Sequence, residues 1–190
     1  MRSSVKLYNP YKWRAADLLW GLAYPLYQTI GTLRHEAAHA LVAILEGARV
    51  TEFIFWPTLS GTGGIRWGYV VYTGATSWVT IAAPYFLDLL TYILGFWVCI
   101  RCRIARRWLW LNVVIVGLIS PFVNSLYNYN GGRRFGTNDV GRLMDQLPAS
   151  AVEAYFVLTL AFYLIGLIVV FRTRNRQNQR ADADLGFSKT

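Results

Sequence analysis

Four apolar stretches constrain this chain before any single residue does: about Leu18 to Leu45, Ala75 to Ile100, Trp108 to Tyr127 and Ala151 to Phe171. Crossing a hydrocarbon core about 30 Å thick takes roughly 20 helical residues, and each stretch meets that length. Lipid offers no water to backbone N–H and C=O groups, so a spanning segment must satisfy them internally, as a helix does. The expected fold class is therefore an α-helical polytopic membrane protein with about four transmembrane helices. Trp20, Trp67, Tyr72, Trp108 and Tyr127 near the ends of the stretches fit the aromatic belts of a bilayer interface. Composition agrees, with 55% hydrophobic and only 15% charged residues, too apolar for an ordinary soluble domain. The first stretch is longer than a signal-peptide core of about 7–15 residues and is interrupted by Pro25, Gln28 and Arg34, so it is expected to stay in place.

The net charge of +9 is distributed unevenly. Arg2, Lys6, Lys12 and Arg14 precede the first stretch; Arg101, Arg103, Arg106 and Arg107 follow the second; Arg172, Arg174, Arg176, Arg180 and Lys189 follow the fourth. Against these, the other side of a four-span arrangement carries Arg49, Arg66, Arg133, Arg134 and Arg142. The positive-inside rule then places both termini in the cytoplasm, and the bases face anionic headgroups. No recognition motif accompanies the charge, so nucleic acid is not an expected partner. Cys99 and Cys102 form one C-x-x-C pair, too few thiols to close a four-ligand site, and read as ordinary residues at the boundary. The chain thus divides into a basic lead (1–14), one membrane-embedded domain (15–171) and a polar tail (172–190) expected to be disordered.

Residues 48–73, between the first two stretches, change character. β-branched and aromatic residues partly alternate with polar ones, and "SGTGG" supplies turn chemistry, which predicts a small β-hairpin or sheet. The chemistry lies just before it, in "TLRHEAAHAL" (32–41), which holds both histidines of the chain. His35 and His39 are four residues apart and share a helix face, so two imidazoles can meet one Zn²⁺, with Glu36 placed to take a proton from the attacking water. Ionisable groups inside a membrane helix cost several kcal/mol each and are usually functional.

A catalytic zinc site takes three protein ligands. With no third histidine the last must be a carboxylate. Glu46 lies seven residues beyond His39, roughly 10 Å along the helix, and is too far; Glu52 falls in the hairpin. Asp139, just past the third stretch, is on the right side of the membrane. Asp88, inside the second, is the alternative ligand, or else a buried partner of Arg34. Amide nitrogens of Asn124, Asn128 or Asn138 are candidates for substrate binding or oxyanion stabilisation.

"HEAAHALVAILEGARV", the Gly-rich β-like segment, "AAP" at Ala82 to Pro84 and "GTNDVGRL" after the third stretch resemble the site-2 protease family of intramembrane zinc metalloproteases, particularly its compact branch. The resemblance covers roughly residues 18 to 146. It implies His35, His39 and Asp139 as ligands of one zinc ion per chain, Glu36 as general base, and a hairpin edge that pairs with an unwound substrate. Three places depart from the pattern: the usual Asn-Pro run is missing, Val140 follows the aspartate where glycine is usual, and "AAP" replaces Ala-Gly-Pro. The implied activity is cleavage of a membrane-anchored protein or peptide within or beside the bilayer, with homo-oligomers or a regulatory membrane partner compatible. The alternatives are a catalytically silent relative that binds or regulates a partner, and a metal-dependent hydrolase of lipid amides.

Overall fold

The computed structural model describes Ala15 and residues 18–59, 65–136 and 138–184. The basic lead 1–14 and the "SGTGG" turn lie outside the described residues. In chain order the elements are α1 (Leu18–Leu22), α2 (Tyr24–Leu45), β1 (Arg49–Ile54), β2 (Thr58–Leu59), β3 (Ile65–Arg66), β4 (Tyr69–Thr73), α3 (Trp78–Arg101), α4 (Arg107–Val114), a π-helical turn (Ile115–Ile119), α5 (Ser120–Phe135), α6 (Asp139–Gln146) and α7 (Ala149–Asp184).

Three helical runs are long and apolar enough to cross a membrane: Trp78–Arg101, Arg107–Phe135 and Ala149–Gln179. The third expected span therefore continues past Tyr127 to the end of α5. The first expected span divides into α1 and α2, and the 22-residue α2 is not among the three. Gln28, Arg34, His35, Glu36 and His39 lower its hydropathy, although its length suffices. Pro25 sits in the first turn of α2, where its missing N–H costs no helical bond.

The expected β insertion is present as two antiparallel ladders, β1 with β4 and β2 with β3. The outer ladder is irregular between Val50 and Glu52, a bulge that bends the ribbon. Glycine at position 68 lets the hairpin lie close against α2, since a Cβ there would meet the Thr32 methyl and the Ile54 carbonyl.

The tail differs from expectation. α7 runs unbroken to Asp184 rather than ending at Phe171. A helix already nucleated over the apolar stretch extends at little cost through Arg, Gln and Ala, which are good helix formers. Val170, Arg174 and Asn178 continue one buried stripe at four-residue spacing, and Arg174 Nη2 donates to the Ile104 carbonyl at 2.5 Å.

Packing follows an inside-out plan. Leu90, Leu94, Trp97, Leu158 and Ile165 are each more than 40% exposed on the outer faces of α3 and α7, a surface suited to lipid and not to water. Two interior clusters hold the helices together. One contains Tyr92, Cys99, Ile104, Trp110, Val114, Leu118, Tyr163 and Val170, toward the basic end of the bundle. The other contains Ile81, Ala82, Tyr85, Val140, Leu143, Val152 and Phe156, where α6 packs against α3 and α7. Cys99 lies in the first cluster and Cys102 is exposed, both as free thiols.

The α5–α6 corner fixes where the chain re-enters the bundle. Gly136 ends α5 in the left-handed region at φ +65°. Asn138 then caps α6, its Oδ1 accepting from the Gly141 N–H at 3.1 Å. A Cβ at position 141 would overlap the backbone of Gly136, so the corner can close only with glycine there. Gly141→Ala should destabilise the protein by about 1–3 kcal/mol. Thermal unfolding in detergent checks this against Gly21→Ala, where nothing lies within 4 Å and no loss is expected.

Candidate metal centre

α2 turns its polar face inward. His35, Glu36 and His39 are each no more than 9% exposed, while Leu26, Leu41, Ile44 and Leu45 on its other side are more than half exposed. The two imidazole rings lie edge to face, 4.9 Å between centroids. Their Nε2 atoms converge on one oxygen: each is 3.1 Å from Oδ2 of Asp139, the first residue of α6. His35, His39 and Asp139 each offer one ligand atom, and these atoms lie within 4.8 Å of one another, a group that could hold a metal ion.

One histidine has a fixed tautomer. His39 Nδ1 lies 2.7 Å from the backbone carbonyl of Thr80, which can only accept, so Nδ1 carries a proton, and in the neutral ring Nε2 carries the lone pair. That carbonyl is available because of Pro84. A proline inside a helix has no N–H for the carbonyl four residues back, and four back from Pro84 is Thr80. The Nε2 lone pair of a neutral His39 then faces the Asp139 carboxylate, acceptor against acceptor at 3.1 Å. Such a contact is repulsive unless a proton or a metal cation lies between the two atoms.

Glu46 clamps the same turn. Its carboxylate accepts from the Ser77 N–H at 2.7 Å, the Ser77 hydroxyl at 2.5 Å and the Thr80 hydroxyl at 2.8 Å. These bonds, led by that from the Ser77 hydroxyl, hold the Glu46 carboxyl below its ordinary pKa. The residue too distant to be a ligand thus ties the end of α2 to the start of α3 and steadies the carbonyl that orients His39. Nothing in residue type announces this role; the four-residue offset between Thr80 and Pro84 is the available signal for the carbonyl.

Asp139 is delivered by the glycine corner and by Val140, which is fully buried among Ile81, Tyr85 and Phe156. Gly132 makes room for the valine, since a Cβ at 132 would meet the Val140 side chain. Burial by itself would raise the Asp139 pKa, but hydrogen bonding with His35 and His39 outweighs it and holds the carboxyl well below the usual carboxylate range. Arg142 Nη1 is 3.9 Å from Oδ1 and half exposed, a weak pair.

Asp88 does not join this group. Its Oδ1 pairs with Arg34 at 2.7 Å from Nη2 and 2.9 Å from Nε. Arg34 also reaches the Val116 carbonyl at 3.4 Å and the Ser120 hydroxyl at 3.3 Å. Val116 is free in the same manner as Thr80: the Ser120 N–H bonds one residue further back, to Ile115, and Pro121 has no N–H. The amide nitrogens of the three asparagines are engaged. Asn124 donates to Asp88 Oδ2 at 2.7 Å, Asn128 to the Asn124 carbonyl at 3.0 Å, and Asn138 to the Asn128 carbonyl at 2.7 Å. All three line the site, and each amide nitrogen donates to at least one protein acceptor.

A cleft of about 680 Å³ opens over the group, walled by α2, α5, α6 and the hairpin from Arg66 to Val70. His35, Glu36, His39 and Asp139 form its floor. Arg66 stacks on the Tyr69 ring at 4.3 Å, and the Tyr69 hydroxyl donates to Glu52 at 2.5 Å. Glu52 is thereby placed in the hairpin and away from the ligand group.

Because Pro84 frees the acceptor of His39, Pro84→Ala supplies a competing N–H. Metal affinity should fall about 10-fold or more, the usual loss for a disturbed outer partner, without loss of helix content; chelator competition and circular dichroism measure the two. Compared with known protein families, curated proteins and solved structures, the chain matches none.

Proposed function

We propose that this protein is an intramembrane zinc metalloprotease of the site-2 protease type, hydrolysing a peptide bond of a membrane-anchored substrate. The observation that carries the reading is the meeting of His35, His39 and Asp139 on one point, with Glu36 beside them on the floor of a cleft in an apolar bundle. Two imidazoles and one carboxylate are a donor set of catalytic zinc sites and suit zinc better than harder cations. Zinc held there supplies Lewis acidity toward the substrate carbonyl and makes the attacking water acidic.

The rest falls to the chain. Glu36, adjacent to His35 and largely withdrawn from solvent, takes the proton from water and returns it to the leaving amine. Gly68, Tyr69 and Val70 line the cleft, which suits strand addition, in which main-chain hydrogen bonds hold a substrate extended. α2 acts as a fourth membrane helix, its exposed leucines toward lipid and its polar face toward α3 and α5. With the basic ends of the bundle in the cytoplasm, the cleft opens toward the opposite side.

In detergent with a membrane-anchored peptide, Glu36→Gln should lower the hydrolysis rate by about 10²–10⁴ while elemental analysis still finds one zinc per chain. His39→Ala and Asp139→Ala should lose both zinc and hydrolysis. Full activity in Glu36→Gln overturns the mechanism. Zinc without hydrolysis of any substrate points instead to a silent binding protein, and turnover of lipid amides alone to a lipid hydrolase.

A further inference from the structure

We propose that Asp88 is the outer carboxylate of His35, accepting the Nδ1–H that this ring must carry when its Nε2 faces a metal. The inference rests on the reading of His35, His39 and Asp139 as a metal centre.

The side chain between them is Asn124. Its Nδ2 is 2.7 Å from Asp88 Oδ2 and 3.3 Å from His35 Nδ1. Turning the amide over in place would set its oxygen against the Asp88 carboxylate, so a flip gives no relief there; the bond that Asn128 Nδ2 makes to Asn124 Oδ1 at 3.1 Å is disturbed by any movement of Asn124. In this arrangement Nδ1 accepts from Asn124, and a neutral His35 carries its proton on Nε2, directed at Asp139. A ring that gives Nε2 to a metal carries its proton on Nδ1 and needs an acceptor there. At that position the proton meets the Asn124 amide, donor against donor. The acceptor behind the amide is the Asp88 carboxylate, which the same Asn124 Nδ2 touches: on the proposal, Asn124 swings aside and Nδ1–H turns to Asp88 Oδ2.

Asp88 is built for this. Both Arg34 contacts fall on Oδ1, leaving Oδ2 directed at the site. The group is 1% exposed, and a buried ion pair adds little stability by itself, so its presence calls for another role. His39 already has an outer acceptor, the Thr80 carbonyl. Asp88 gives His35 the counterpart, so the two ligand rings are oriented by a carbonyl and a carboxylate. Asp88 is a positioning residue: it acts through His35, and Asn124 is the side chain that must yield.

The test is Co²⁺ titration of the full chain in detergent, reading affinity by competition with a chromophoric chelator and ligand geometry by visible absorption. Asp88→Ala should weaken Co²⁺ binding about 10–100-fold and shift the absorption band, and Asn124→Ala should leave affinity unchanged or tighter. Arg34→Gln combined with Asp88→Ala removes the stranded guanidinium, which guards against simple misfolding, and should remain as weak as Asp88→Ala. Wild-type affinity in either Asp88 variant overturns the proposal, as does an equal loss in Asn124→Ala. Wild-type protein that takes up no Co²⁺ removes the metal reading, and this inference with it.

Discussion

The hydrogen bond from His39 to the Thr80 carbonyl is the contact on which the arrangement of this bundle turns. α2 brings two histidines, a glutamate and an arginine into an apolar interior, where each unsatisfied polar group is costly. Ordinary helices facing α2 would offer it nothing, because their carbonyls are consumed by their own N–H groups. Two prolines change that. Pro84 leaves Thr80 without its helical donor, and His39 takes it; Pro121 lies at the π-helical turn that leaves Val116 to Arg34. Each proline weakens its own helix by a backbone bond and, by the same act, supplies an acceptor across the interface.

The site is correspondingly distributed over three elements. α2 supplies the imidazoles, α3 orients one of them, and α6 brings the carboxylate. Glu46 fastens the first two together, and the Gly136–Gly141 contact fixes the third. The ligand candidates are thus each tied to a second element by a hydrogen bond or a close backbone contact. Precise placement is what general acid–base chemistry requires of Glu36 in the role proposed for it.

How much of this is legible in the residues depends on the range of the interaction. His35 and His39 follow from helical spacing alone, a local rule that the bundle does not alter. The β insertion is likewise local. Placing Asp139 near them takes topology, because about a hundred residues intervene and only the side of the membrane is legible across that distance. α2 has the length of an apolar span, yet Arg34, His35, Glu36 and His39 lower its hydropathy although they face inward, and a sum over the helix cannot tell inside from outside. The asparagines read as substrate donors because an amide in a site-like sequence has no visible partner; the structure spends Asn138 on capping α6 and Asn124 on Asp88. The helix beyond Phe171 is hidden because polar composition reads as disorder when the preceding nucleus is ignored.

Charge balance inside the bundle bears on the proposed metal as well. Arg34 and Asp88 cancel one another as a pair. Glu36 and Asp139 remain, two carboxylates beside two histidines, with Glu36 only 9% exposed. Arg142 is exposed to solvent and nearly 4 Å from Asp139, too screened to neutralise it. Protons on the two imidazoles would offset these charges, and so would the divalent cation of the proposed function, which would also separate the lone pair of a neutral His39 from the Asp139 oxygen it faces. In either case positive charge is needed where the two rings and the carboxylate meet, and the proposed metal is one way to supply it there.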